Sequence, residues 1–304
     1  MMTYVLNSLL PICLIVATGY MFRHMKFPST DFWPLADRFT YYVLMPALLV
    51  YKLSLAKLDL AYTADLVLTT LLAIISVLCV LILLNSLLHF ERKAFTSIVQ
   101  GGIRFNSYVF LAFVDTAYGD EGLVLAAIVM AFAIPFINIL CISIFAFYTR
   151  SGHFSFLAFL KTIIKNPLIG ACFIGILINL SGWVLPLFTL KTLSLLSNAA
   201  LPIGLLSVGV GLELRYLKAA KKELVVSSVA KLLLFPLLSY GIGILFGLSG
   251  MTLSIAVLFG AMPTAVSSYI LARELGGDIS LMASIITLQT LACMATLLFI
   301  TPFL

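Results

Sequence analysis

Three side chains capable of chemistry fall within one stretch of this 304-residue chain, GGIRFNSYVFLAFVDTAYGDEG at positions 101–122. Arg104 brings a permanent cation and a fork of donors that pairs with a carboxylate or phosphate. Asn106 brings an amide that both donates and accepts, and Asp115 a carboxylate able to hold a proton or a cation. Their setting makes them conspicuous. The chain is 62% hydrophobic and 10% charged, with a mean hydropathy of +1.18, whereas soluble domains carry about 25% charged residues.

The elements that must position these residues are therefore membrane helices. Runs such as LVLTTLLAIISVLCVLILLN (66–85) do not alternate as barrel strands do. Segmenting by apolar stretches of about 20 residues predicts ten spans, near 4–22, 33–53, 63–85, 95–117, 122–148, 166–183, 191–212, 224–247, 251–273 and 279–302. Alternate connections hold twelve Lys or Arg on one side (Arg23 and Lys26, then Arg92 through Arg273) against three on the other, Lys52, Lys57 and Lys191. Positive connections stay cytoplasmic, which places both termini outside the cytoplasm. The start of the chain reads as a retained first helix, since it has no positive segment ahead of its apolar run.

The net charge of +6 follows from this placement and calls for no nucleic-acid partner. Cys13, Cys79, Cys141, Cys172 and Cys293 all lie in apolar runs with no CxxC pairing, and His24, His89 and His153 sit at loop edges. That pattern predicts no disulfide, no metal and no cofactor. The sequence has no HExxH, GxSxG or Walker motif, so the expected protein is not an enzyme.

The longest connection, about 149–165, divides the chain into repeats 1–152 and 153–304. Five spans in each half make the halves inverted. Pro11, Gly19 and Pro46 recur as Pro167, Gly175 and Pro202 at a constant offset of 156, and FNSYVFLA (105–112) is echoed by VSSYILA (266–272). Inverted repeats place a substrate between discontinuous helices in corresponding positions. The fourth span, with Gly101, Gly102, Arg104, Asn106 and Ser107, corresponds to the ninth, with Pro263, Ser267 and Ser268. Glycines and a proline there predict helix breaks that polar side chains re-satisfy.

Each candidate has a plainer reading. Arg104 and Lys231 could snorkel to the inner surface; buried, the two cations favour an anionic substrate. Asn106 is either interhelical glue or a ligand, and shares a cavity with Arg104 only if the helix breaks between Gly101 and Asn106. Tyr108 shares a helical face with Arg104 and Asp115, and Tyr269 is its echo. Asp115, near the outer end of its span, is an interfacial residue or carries a coupling proton. Asn138 and Gln289 read as packing devices.

The segments GGIRFNSYVFLAFVDTAYGDEGL, NPLIGACFIGILINLSGWVLP, ALPIGLLSVGVGLEL and AMPTAVSSYILARELGGD together resemble the auxin efflux carrier family over essentially the whole chain. They are especially similar to its bacterial members, which include proteins described as malate and malonate permeases. The resemblance implies an all-α fold of two inverted five-helix repeats with interrupted, crossing fourth and ninth helices. Spans 1, 2, 6 and 7 would form a scaffold and homodimer surface, and spans 3–5 and 8–10 a transport domain moving like an elevator. Asn106 matches an asparagine that holds the substrate carboxylate, while the family's two crossover prolines are matched by Phe113 and Ser268. The implied protein is a bacterial inner-membrane secondary transporter for small organic anions such as dicarboxylates or auxin-like carboxylates. Arg104, Asn106, Ser107, Tyr108, Ser267, Ser268 and Tyr269 would bind substrate; Asp115 and Lys231 would serve coupling or gating, with a proton or sodium as the coupling ion. A sodium-coupled carrier of the bile-acid symporter type, or a membrane sensor that binds without transporting, would share the plan.

Overall fold

The computed structural model describes residues 2–56, 60–149, 166–218 and 222–301. Lys57, Lys221 and the 150–165 segment, with its predicted repeat boundary, lie outside the described residues. Among the described residues every regular element is helical. The chain runs through α1 (Met2–Met25), α2 (Phe32–Phe39), α3 (Met45–Leu55), α4 (Leu60–Leu88), α5 (Arg92–Ile103) and α6 (Ser107–Thr149). It continues with α7 (Pro167–Ser181), α8 (Leu187–Val210), α9 (Lys222–Val229), α10 (Phe235–Leu245), α11 (Gly250–Ala261), α12 (Ser267–Glu274) and α13 (Ile279–Ile300). Among the described residues six helical stretches are long and apolar enough to cross a bilayer, and α7 and α11 are shorter apolar helices. This is a multi-pass helical membrane protein.

Local chemistry explains how these helices are cut. Widened π-turns at Thr40–Leu44 and Ala230–Leu234 join α2 to α3 and α9 to α10. Each contains the residue four before a proline, Pro46 or Pro236, whose ring would collide with that residue's carbonyl in a regular helix. Gly119, at φ 62°, divides α6 into two legs by a conformation that an L side chain resists.

Small residues set the closest approaches. A Cβ on Gly19 would lie 2.1 Å from the Leu206 carbonyl oxygen, and one on Gly209 would lie 2.0 Å from that of Val16. Backbone contact of this kind locks α1 along α8. Likewise Gly175 brings α7 onto α3, where its Cβ would meet Leu53 at 2.8 Å. In a membrane, where lipid is as apolar as leucine, such close packing is what holds helices together.

At the end of α8, Arg23 donates to the carbonyls of Val210 and Leu212 and pairs with Glu213 at 2.7 Å. Arg215 binds the other oxygen of the same carboxylate at 2.7 Å, and the Glu213 N–H reaches Thr287 Oγ1 on α13. Partial burial pushes the Glu213 carboxyl up, but the two arginines more than offset it and hold the group below its ordinary range.

The packing yields a direct test. Gly209→Ala forces α1 from α8 and is expected to cost about 1–3 kcal/mol, read as a lower melting temperature in detergent. Gly170→Ala, whose Cβ meets nothing within 4 Å, is the control. Equal melting temperatures for the two variants would contradict this account of the seam.

Candidate functional site

Two helix breaks meet here. α5 ends at Ile103, the next residue Arg104 has an extended backbone (φ −74°, ψ 157°), and α6 begins at Ser107. α11 ends at Ala261, the next residue Met262 is extended (φ −70°, ψ 145°), and α12 begins at Ser267. Pro263 accounts for the second break, since it lacks an N–H and drives the preceding residue out of the helical region. The first break has no proline and is held from the side. The Asn106 N–H donates to the Pro263 carbonyl at 2.7 Å. Its side-chain Oδ1 accepts from the N–H groups of Tyr108 and Val109 at 3.0 and 3.3 Å, making Asn106 the N-cap of α6.

Gln289, from α13, joins the two breaks. Its Oε1 accepts the Thr264 N–H at 2.9 Å, while Nε2 donates to the carbonyls of Gly101 at 3.0 Å and Ser227 at 3.3 Å. Thr264 Oγ1 adds contacts of 3.3 Å with the Gln100 carbonyl and the Ser268 hydroxyl. Backbone groups released by the breaks thus find partners within the protein.

Beside the junction lies a cavity of about 230 Å³. Arg104, Tyr41, Ser107, Asn138 and Ser267 form its polar wall, and Phe105, Ile134, Ile137, Leu168 and Ala265 its apolar wall. Arg104 Nη1 donates to Asn138 Oδ1 at 3.0 Å and Nη2 to Ser267 Oγ at 3.3 Å. Its Nε is buried with no hydrogen-bond partner among the described residues. The arrangement presents a fixed guanidinium to a small chamber between two helix termini, which suits the binding of an anion.

The other predicted residues are distributed around this chamber. Asn106, 2% exposed, lies behind its wall as a cap, and Ser268 is buried against Thr264. Tyr108 turns away. Its ring packs on Gly204, where a Cβ would sit 2.6 Å from it, and its hydroxyl faces Asp37, beside Ser207. Tyr269 and Asp37 line a separate cavity of about 400 Å³ near Arg23. Asp115 lines a third, of about 230 Å³, and lies 3.8 Å from Lys52, which also pairs with Asp120.

Lys231 lines none of these three cavities. It is fully buried, and its ammonium sits over the Phe235 ring, 4.2 Å from the centroid, with Phe259 at 5.6 Å. Snorkelling is therefore not its conformation. Gly101 and Gly102 lie in the last turn of α5, ahead of the break. A Cβ on Gly101 would meet Ser227 Oγ at 2.2 Å and one on Gly102 would meet Leu81 at 2.6 Å, so these glycines allow close packing. Phe113 is inside α6 and Ser268 in the first turn of α12; the breaks fall at 104–106 and 262–266 instead.

Sequence reasoning passed over four residues. Asn138 and Gln289 look like packing devices but hold Arg104 and both breaks; Tyr41 and Asp37 drew no attention. Pro135, three residues before Asn138, and the isolation of Gln289 in an apolar span were the available signals.

Gln289→Leu strands the Thr264 N–H and the Gly101 carbonyl, at about 1–3 kcal/mol for each buried group left unpaired. The variant is expected to melt well below the wild type in detergent. An unchanged melting temperature would rule out the joining role of Gln289.

Comparison with known proteins identifies the family. Residues 149–301, half of the chain, match the family described as membrane transport protein. A Methanothermobacter thermautotrophicus protein named "Uncharacterized transporter" is 32% identical over 139 residues, covering 45% of this chain and 45% of that protein. A Rhizobium meliloti protein named "Putative malonate transporter" is 23% identical over 318 residues, covering 97% of this chain and 94% of the relative. Escherichia coli "Uncharacterized transporter YfdV" is 25% identical over 289 residues, 90% of this chain and 89% of its own. The match to the archaeal relatives thus spans under half of their length, whereas the bacterial ones align almost end to end. The chain belongs to the membrane transport protein family, that of the auxin efflux carriers.

Proposed function

We propose that the protein is a secondary transporter for small organic anions, working by alternating access, with the cavity beside Arg104 as its substrate site. The observation that carries this reading is the 2.7 Å bond from the Asn106 N–H to the Pro263 carbonyl, which joins two broken helices next to a half-buried guanidinium. A broken-helix junction tolerates small backbone shifts at little cost, and Arg104 supplies the charge to attract a carboxylate. Asn106 and Ser268 keep the junction in shape, while Ser107, Ser267 and Asn138 complete the polar wall.

In this reading ten spans form two inverted repeats, 1–152 and 153–304. The glycine-mediated pairs support it, since α1 packs on α8 through Gly19 and α7 packs on α3 through Gly175. First-on-seventh and sixth-on-second is the pairing that an inverted repeat requires. These four spans would be the scaffold and the homodimer surface. The remaining six would move past them in the bacterial inner membrane, both termini outside the cytoplasm. Lys52 on α3 with Asp115 and Asp120 on α6 would be a scaffold-to-transport contact that breaks and reforms in each cycle. Lys231 and Asp37 are further candidates for coupling to a proton.

Uptake of radiolabelled malonate into proteoliposomes, with and without proton and sodium gradients, tests the proposal. Loss of charge-assisted hydrogen bonds of about 1.5–3 kcal/mol predicts that Arg104→Ala lowers apparent affinity by roughly 10- to 100-fold. Wild-type uptake by Arg104→Ala would remove the cavity from consideration, and binding without flux would mark a sensor.

A further inference from the structure

Resting on the assignment of this cavity as the anion site, we infer that it takes its substrate as a monoanion: a short monocarboxylate, or a dicarboxylate that has kept one proton. The inference comes from counting charges around the chamber and asking which of them are free.

Arg104 is the one charged side chain among the described residues that line the cavity. Two of its nitrogens are engaged by neutral partners, Asn138 and Ser267, and Nε has none. Among the described residues no carboxylate pairs with it, so one full positive charge remains for the ligand. The titratable side chains facing it are Tyr41, from the turn between α2 and α3, and Cys141, from α6. Neither adds a second cation.

Three other cations among the described residues are committed elsewhere. Lys52 pairs with Asp115 and Asp120, and Arg23 with Glu213. Lys231 is enclosed with Phe235 and Phe259, outside the cavity lining. A second ionised carboxylate would meet no second cation among the described lining residues, only neutral donors such as Tyr41 and Ser107 and the apolar Phe105, Ile134, Ile137 and Leu168, which repay little of a full charge's lost hydration. A protonated carboxyl group differs in kind. It is neutral, and the hydroxyls of Tyr41 and Ser107 are at the wall to exchange hydrogen bonds with it. The volume of about 230 Å³ also lies below the roughly 300–1,000 Å³ of clefts for drug-sized ligands, which limits the acid to a few carbons.

Monomethyl malonate and malonate separate charge from shape. The half-ester has one charge at any neutral pH, whereas malonate passes from monoanion to dianion as its second carboxyl group ionises. Calorimetric binding to the purified full chain at about pH 5 and about pH 8 is the test. The half-ester is expected to bind equally at both, and malonate to weaken at least tenfold, about 1.4 kcal/mol, at the higher pH. Ile134→Lys adds a cation to the apolar wall and is expected to restore malonate binding at about pH 8. Malonate binding that is equal at both pH values and tighter than that of the half-ester would overturn the monoanion inference while leaving the anion site in place. So would an Ile134→Lys variant that binds malonate no better. Failure of both compounds at both pH values would overturn the site itself.

Discussion

Every backbone N–H and C=O in this protein's apolar interior must find a partner inside the protein, and two helices are broken where that demand is hardest to meet. The whole site follows from how it is met. An intact helix satisfies itself. A broken one does not, so the breaks at Arg104 and Met262 had to lie side by side and share a hydrogen bond, from Asn106 to Pro263. The groups left over converge on Gln289, one residue serving both halves. Close packing of α5, α9 and α13 around that amide is permitted by Gly101, which leaves room for Ser227 and Ile285.

The same constraint governs the cations. A lone charge in hydrocarbon is costly, and the four discussed here are handled in three ways. Arg23 and Lys52 have carboxylates near the ends of the helices. Lys231 has two aromatic faces and no acid, a weak form of compensation for a fully buried amine. Arg104 borders a chamber with room for a ligand and, among the described residues, has no carboxylate partner there. Its incomplete compensation is the strongest reason to assign the site there rather than to the larger cavity near Arg23, where Glu213 and Asp37 already supply negative charge.

Much of this was legible in the sequence. Apolar runs marked the helices, and the clustering of Gly101, Arg104, Asn106, Pro263 and the serines located the junction. Pro263 acts by its own backbone chemistry, and an Asn-Ser pair at a helix start caps locally; both effects can be read from adjacent residues. What escaped depends on distant partners. Gln289 binds a carbonyl 188 positions away, and Asn138 holds a guanidinium 34 positions away. Nothing in their own neighbourhoods distinguishes them from packing amides. Matching the family's crossover prolines to Phe113 and Ser268 failed because one break here is made by a cap and a cross-helix hydrogen bond, which leave no proline to align. Asp115 gained a definite partner only when folding brought Lys52 beside it.

The central claim is that a small carboxylate binds between Arg104 and Ser267 at the helix junction. The most direct measurement is a structure of the protein soaked with a short bromo-carboxylate, with the bromine located by anomalous scattering. A peak in the chamber bounded by Arg104, Ser107 and Asn138 is the predicted result. A peak in the cavity by Arg23 and Asp37, with none beside Arg104, would contradict the account.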